Sequence, residues 1–207
     1  MSQHHPWLEY AKRVQALAQS GLTYAENSYD LERYQELSEI SVQIMAEISG
    51  TEITRVKELF TNENGYQTPK TDVRAVLFQD NKILLVREKI DNCWSLPGGW
   101  ADVGFSPGEV AVKETREEAG LEVQVVRLLA VLDKKYHPHP PSPYHTYKIF
   151  ILCEATGGAL QQGSETLDVR YFGRDELPEL SVERGTLSQI QLMFEYLDNP
   201  LKEPVID

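Results

Sequence analysis

Gly99-Trp-Ala-Asp-Val-Gly-Phe-Ser-Pro-Gly-Glu-Val-Ala-Val-Lys-Glu-Thr-Arg-Glu-Glu-Ala-Gly-Leu121 is the stretch on which the reading of this chain turns. Ser106 is a favourable N-cap, Pro107 occupies the first helical position, and Glu109 completes a capping box three residues after the cap. Gly120 suits the left-handed position that closes a helix. The spacing predicts a helix from about Pro107 to Ala119. At ~100° per residue, Glu114, Glu117 and Glu118 fall within roughly one 100° arc. Ala111, Val112, Thr115 and Ala119 form a separate stripe able to pack on a sheet. Arg116 points away from the glutamates and cannot neutralise them all.

Three carboxylates on one face repel one another and raise each other's pKa unless a cation sits among them. Oxygen ligands of this kind suit a hard divalent ion, Mg²⁺ or Mn²⁺, and magnesium held by a few carboxylates commonly accompanies a phosphate substrate. An arbitrary Glu-x-x-Glu-Glu is more often a solvated helix face. The preceding Pro-Gly-Gly loop, the capped helix and the terminal glycine turn this one toward a site.

With those residues in place, the stretch resembles the Nudix box, G-x5-E-x7-R-E-U-x-E-E-x-G-U with U apolar. Gly99 matches the opening glycine, and Glu114, Glu117, Glu118, Gly120 and Leu121 match the second half. Phe105 stands where the first Glu belongs, Lys113 where the Arg belongs, and Thr115 takes an apolar slot. The resemblance implies metal binding by Glu114, Glu117 and Glu118, with Glu117 a ligand or the base that orients water, and a backbone contribution from Gly98. The missing Glu and Arg normally brace the loop against the helix. Phe105 is expected to replace that brace by covering the junction, with the Lys113 stem along its ring.

The 207 residues suffice for one ordinary domain and a small one. Apolar content of 41% supports a core. The formal charge of −12, from 20 basic and 32 acidic residues, argues against stable nucleic-acid binding and against an anionic membrane as partner. No apolar run approaches the ~20 residues of a membrane-spanning helix. The start, Met-Ser-Gln-His-His-Pro-Trp, lacks the basic and apolar regions of a signal peptide. Cys93 and Cys153 are the two cysteines, without metal or redox spacing. Free thiols and a cytoplasmic location are the simplest reading, with a disulfide between them the alternative.

Residues 1–67 read as helical. Trp7, Leu8, Ala11, Val14, Leu17 and Ala18 predict one amphipathic helix. Leu31, Tyr34, Leu37, Ile40, Ile44 and Ile48 predict a second, capped by Asp30, and Ile53, Val56, Leu59 and Phe60 a short third. Such helices bury little alone and should dock on the second domain or on another subunit. Asn62–Pro69 reads as a linker. Apolar runs then predict strands at 73–78, 83–86, 123–132, 147–154 and 169–172. Gln79-Asp-Asn-Lys82 forms a hairpin turn, Gly157-Gly158 a turn, and Leu187 to Leu197 a final amphipathic helix. The fold class expected is α/β: this order of elements is similar to the Nudix α/β/α sandwich, which the resemblance implies over 68–207, with a small all-helical domain over 1–67 expected to serve dimerisation.

A narrower resemblance spans the whole chain. Ala18-Gln-Ser-Gly-Leu-Thr-Tyr24, Pro69-Lys-Thr-Asp-Val-Arg74, Gly98-Gly-Trp-Ala-Asp-Val-Gly104 and His137-Pro-His-Pro-Pro141 look like a Nudix branch with an N-terminal helical domain. Members hydrolyse nucleoside diphosphates linked to a moiety X, such as ADP-ribose or CDP-choline, and are usually homodimers. The resemblance thus implies a Mg²⁺- or Mn²⁺-dependent pyrophosphohydrolase with a small-molecule substrate. The rivals are a nucleotide-sensing module without catalysis, favoured by Phe105 and Lys113, and RNA 3′-trimming.

Other candidates follow from position. Arg87, at the end of a strand, either reaches a phosphate oxygen or is a surface charge. Glu165 and Asp168 lie where such enzymes often hold a further carboxylate, as ligand or general base; a plain acidic turn is the alternative. Tyr136 and His137 belong to the loop Asp133-Lys-Lys-Tyr-His-Pro-His-Pro-Pro-Ser-Pro-Tyr-His145, read as a substrate-contacting loop or a dimer contact. The spacing of His137, His139 and His145 also admits zinc, but the prolines stiffen the loop and no cysteine is near. Trp94 and Trp100 flank the glycine turn as packing residues or base-stacking platforms.

Overall fold

The computed structural model describes residues 6–61 and 65–207, with the Leu59, Phe60 and Thr61 side chains outside that description. It divides into two compact units. One runs to Pro69 and takes in Pro141–His145; the other comprises Lys70–Pro140 and Thr146–Asp207. Residues 1–5 and 62–64, and with them part of the expected linker, lie outside the described residues.

The first unit holds helices α1 (Pro6–Tyr24), α2 (Ser28–Ser49) and α3 (Ile53–Thr61). Its small core joins Leu8, Ala11, Val42, Met45 and Val56. Gln15 ties α1 to α2, its Oε1 accepting hydrogen bonds from the Ser41 and Ser38 hydroxyls. Two expectations need correction. The cap of α2 is Asn27, whose side chain accepts from the Asp30 amide. The stripe read on α1 mixes two faces: Leu8, Ala11 and Ala18 are buried, whereas Trp7 and Leu17 are each 67% exposed. With Tyr10 and Tyr24, also exposed, Trp7 and Leu17 occupy a second arc of about 100°. On α2 the buried ridge is Ser41, Val42 and Met45, while Leu37 and Ile40 face out.

In the second unit, strands β1 (Lys70–Val76), β5 (Gly98–Trp100), β6 (Leu121–Asp133), β7 (Thr146–Gly158) and β9 (Val205–Ile206) form one sheet in the order β5-β1-β7-β6-β9. β1 and β7 run parallel, and their other main partners are antiparallel. The second sheet centres on β3 (Lys82–Glu88), which pairs with β2 (Phe78–Gln79), β4 (Trp94–Ser95) and β8 (Thr166–Phe172). Asp80 and Asn81 turn β2 into β3 with φ of 51° and 61°, the left-handed pair that a two-residue hairpin needs. Gly157 and Gly158 belong to the end of β7, paired with β6, and do not form a separate turn.

Central strands alternate between two cores. Val73, Ala75, Leu84, Val86 and Ile151 meet Val110, Ala111 and Ala119 of helix α4 (Pro107–Ala119). Val76, Ile83, Leu85 and Phe150 meet Ile190, Met193 and Phe194 of helix α5 (Leu187–Asp198). Burial on both faces explains why these strands read as continuous apolar runs. The result is an α/β/α sandwich. Among the described residues no helix is long and apolar enough to cross a membrane, and both cysteines are free.

Candidate functional site

Helix α4 has the predicted ends. Ser106 and Glu109 form both halves of the capping box, and Gly120 adopts a left-handed φ of 73°. Thr115 takes its apolar slot by returning its hydroxyl to the Ala111 carbonyl at 2.7 Å, so it is buried without an unsatisfied donor. With the Ala111 and Ala119 face on the sheet, the glutamate arc lies along β5. Gly98 is placed there with φ of 143°, and a Cβ would stand 2.0 Å from the Val73 carbonyl oxygen; only glycine fits. Its amide donates to Glu118 Oε2 at 2.9 Å.

Glu118 is 7% exposed. Burial pushes its pKa up to about 8; the Gly98 amide and Arg74 oppose this, and Glu88 and Glu114 add to it. Glu114 and Glu117 instead share a cation from their own helix. Lys113 Nζ stands 2.8 Å from Glu114 and 3.4 Å from Glu117, and the hydrogen bond to Glu114 holds its pKa above the usual value. Among the described residues no three His, Cys, Asp or Glu side chains form a ready-made metal group. The donor set nevertheless fits a hard divalent ion: three carboxylates share one arc, and an ammonium already bridges two of them.

Phe105, expected to brace the loop against the helix, is about half exposed. The Lys113 ammonium has three carboxylates within ion-pair distance, Glu114, Glu117 and, at 4.0 Å, Asp102. Trp94 is a packing residue, 9% exposed and edge-on to Phe172, whereas Trp100 is half exposed.

Glu165 lies on a turn fastened to the last turn of α4. Gly163 passes so close to the Glu117 carbonyl that a Cβ would lie 1.8 Å from its oxygen. The Thr166 hydroxyl accepts from the Gly163 amide at 2.7 Å and donates to the Glu118 carbonyl at 2.9 Å. The exposed Glu165 is thereby carried beside the carboxylate helix. Asp168 sits opposite Arg87 across the β3–β8 pair and forms an ion pair with Arg170 at 2.5 Å. Arg87 donates to the Asn92 carbonyl at 3.1 Å. Tyr136 is 65% exposed, and His137 Nε2 stands 3.1 Å from Asp207 Oδ2. No hydrogen bond among the described residues joins these two to the α4 carboxylates.

Sequence reading missed the charges beneath the site. Arg74 makes a two-pronged contact with Asp72 at 2.7 and 2.8 Å, and Lys148 Nζ adds a third at 3.0 Å; all three residues are at least 94% buried. Burial alone would raise the Asp72 pKa, but Arg74 and Lys148 hold it at about 2. Glu88, 4% exposed, accepts from the Ser95 hydroxyl at 2.6 Å and pairs with Arg184 at 3.1 Å. The available signal was a charge alternating with apolar residues inside strands otherwise buried on both faces.

Two family models match this chain. Residues 68–192 match the NUDIX domain, and residues 5–60 match a UDP-X-like, N-terminal oligomerisation domain. The chain therefore belongs to the Nudix family of hydrolases. It is 49% identical over 201 residues, 97% of each chain, to Bacillus subtilis YjhB, which bears the provisional name of an ADP-ribose pyrophosphatase. It is similar to the crystal structure of a UDP-X diphosphatase, at 33% identity and TM-score 0.64, over 98% of each chain. An ADP-ribose pyrophosphatase from Streptococcus suis 89-1591 matches 68% of this chain and 100% of its own, at 44% identity and TM-score 0.62.

Proposed function

We propose that this Nudix hydrolase cleaves the diphosphate of a nucleoside diphosphate linked to a second moiety, such as ADP-ribose, CDP-choline or a UDP-linked group. The products are a nucleoside monophosphate and phosphorylated X. The observation that carries this reading is the arc of Glu114, Glu117 and Glu118 on a helix locked at both ends, packed so that Glu118 is buried against Gly98. The names of relatives that align over nearly the whole chain support it.

Glu114 and Glu118 would hold a divalent cation, Mg²⁺ or Mn²⁺, with Glu117 and the Gly98 backbone as further oxygen donors. Such an ion neutralises developing charge on the diphosphate and acidifies the attacking water when bound. Glu117, with its side chain 50% exposed, is free to orient that water and accept its proton. Glu165 and Asp168 are the other candidate bases; Glu165 has the stronger case, because its turn is fastened to α4. Arg87, Tyr136 and His137 would contact the substrate's phosphate or its second moiety. Lys113 must leave Glu114 and Glu117 for a cation to bind between them. The outward aromatic and aliphatic face of α1 would pair with a second copy, giving a homodimer, and the two free thiols fit a cytoplasmic setting.

The test is hydrolysis in ¹⁸O-labelled water with Mg²⁺, followed by mass spectrometry of both products. The expected result is one labelled phosphate and a Glu118→Gln variant slower by at least ~10²-fold with an unchanged melting temperature. Full turnover in Glu118→Gln, or in excess chelator, overturns the reading.

A further inference from the structure

We propose that Lys89 is a positioning residue for the reaction: by clamping the turn 163–166 it sets Glu165 where that carboxylate takes a proton from the attacking water. This rests on the hydrolase reading above and takes Glu165, of the bases named there, as the one at work.

The turn is held from two sides. On one, the Thr166 hydroxyl bridges the Gly163 amide and the Glu118 carbonyl of α4. Lys89 holds the other. Its amide donates to the Glu165 carbonyl at 3.1 Å, and its ammonium donates to the Ser164 carbonyl at 2.6 Å. Two successive carbonyls of the turn therefore end on one residue, 75 positions from Ser164 in sequence. Lys89 is exposed, and an exposed lysine ordinarily keeps its ammonium in water and its rotamers free. This one meets a backbone oxygen instead. It also starts from a fixed point. The preceding Glu88 is 4% exposed, its carboxylate is bonded to the Ser95 hydroxyl and Arg184, and its amide donates to the Cys93 carbonyl at 2.8 Å.

A bulge explains why the turn depends on that hold. Arg87 pairs with Asp168 and Glu88 with Thr166, so Leu167 is the extra residue in β8. The extra residue shifts the alternation of faces. Thr166 and Val169, three apart, both face α4: Thr166 bonds the Glu118 carbonyl, and Val169 lies in the core shared with that helix. Asp168 is turned to the opposite face, away from the α4 carboxylates, where it pairs with Arg170. The ladder with β3 ends at Thr166. Gly163, Ser164 and Glu165 lie beyond it and are held by the contacts named above.

For a carboxylate base, placement decides the rate. As the water oxygen bonds phosphorus and the anhydride P–O bond breaks, Glu165 receives the proton that the water loses. A well-placed base contributes ~10²–10⁴-fold, and a displacement of about 1 Å forfeits up to ~10². Releasing one side of the turn should lower kcat and leave substrate affinity alone.

Steady-state hydrolysis of ADP-ribose and of UDP-glucose in Mg²⁺, with hydrogen exchange on the ligand-free chain, tests this. Lys89→Met keeps the stem and the amide and removes the ammonium. Expected is a kcat lower by about tenfold with KM within about twofold of wild type, and faster exchange of the Gly163 amide. Lys89→Arg, which restores an N–H donor, should recover most of kcat. In a Glu165→Gln background, Lys89→Met should change kcat by less than about twofold, because no base is left to position. Wild-type kcat in Lys89→Met, a loss that falls on KM, no rescue by arginine, or full multiplication of the two losses in the double variant overturns the proposal. So does wild-type turnover in Glu165→Gln, which leaves the reaction standing. No hydrolysis of either compound by the wild type defeats the reaction itself, and unaltered Gly163 exchange in Lys89→Met defeats the clamp alone.

Discussion

Asp72→Asn keeps the shape of a buried side chain and removes the negative charge that two buried cations share. Asp72 holds Arg74 through both of its oxygens and Lys148 through one, and all three are at least 94% buried. Taking one partner from a buried ion pair costs ~3–5 kcal/mol, since the charge left behind has neither water nor counter-ion. At ~2–4 °C per kcal/mol for a chain of this size, the melting temperature should fall by roughly 6–20 °C. The wild type also has an acid limb. The Asp72 pKa is held at about 2, below the ordinary 3.8, so its contribution is complete above pH 3.8. It is lost as pH falls through about 2, and amounts to about 2 kcal/mol. Asp72→Asn lacks that part of the acid response. Equilibrium urea unfolding followed by tryptophan emission, from pH 7 to pH 2, measures both effects. Replacing all three charges together, Asp72→Leu with Arg74→Met and Lys148→Met, should recover most of the loss, because no isolated charge remains. A loss below ~1 kcal/mol in Asp72→Asn at pH 7, or an unaltered acid limb, would refute the reasoning.

Phe105→Ala should change stability by no more than ~0.5 kcal/mol, because the ring is 47% exposed and lies outside both cores of its unit. Calorimetric melting decides this, and a loss above ~1.5 kcal/mol would restore the brace that the sequence suggested. The full chain should sediment as a dimer, and Trp7→Asp with Leu17→Asp should yield monomer, since both side chains are 67% exposed on one face of α1. A monomeric wild type, or a dimer unaffected by the charges, would show that this face pairs with nothing.

Local signals fixed what the sequence alone could determine. Helix α4 was legible to the residue at both ends, because capping by Ser106, Glu109 and Gly120 is settled within one turn. The Asp80–Asn81 hairpin and the apolar runs of β1, β3 and β7 were legible for the same reason. So were the three glutamates, since helical spacing alone puts them on one arc. The tertiary structure decided everything that depends on what lies across the fold. It chose which of the two apolar faces of α1 to bury, a choice that periodicity leaves open. It sent Lys113 to Glu114 and Glu117, and it left Phe105 about half exposed. It carried the Glu165 turn to α4 through Gly163 and Thr166, 48 residues from the carbonyl that Thr166 binds. It also gathered Asp72, Arg74 and Lys148 from two strands that neighbour each other in space but not in sequence. A charged residue in a strand reads as solvent-facing until its partner is known, and the partner becomes known only when β1 and β7 lie side by side.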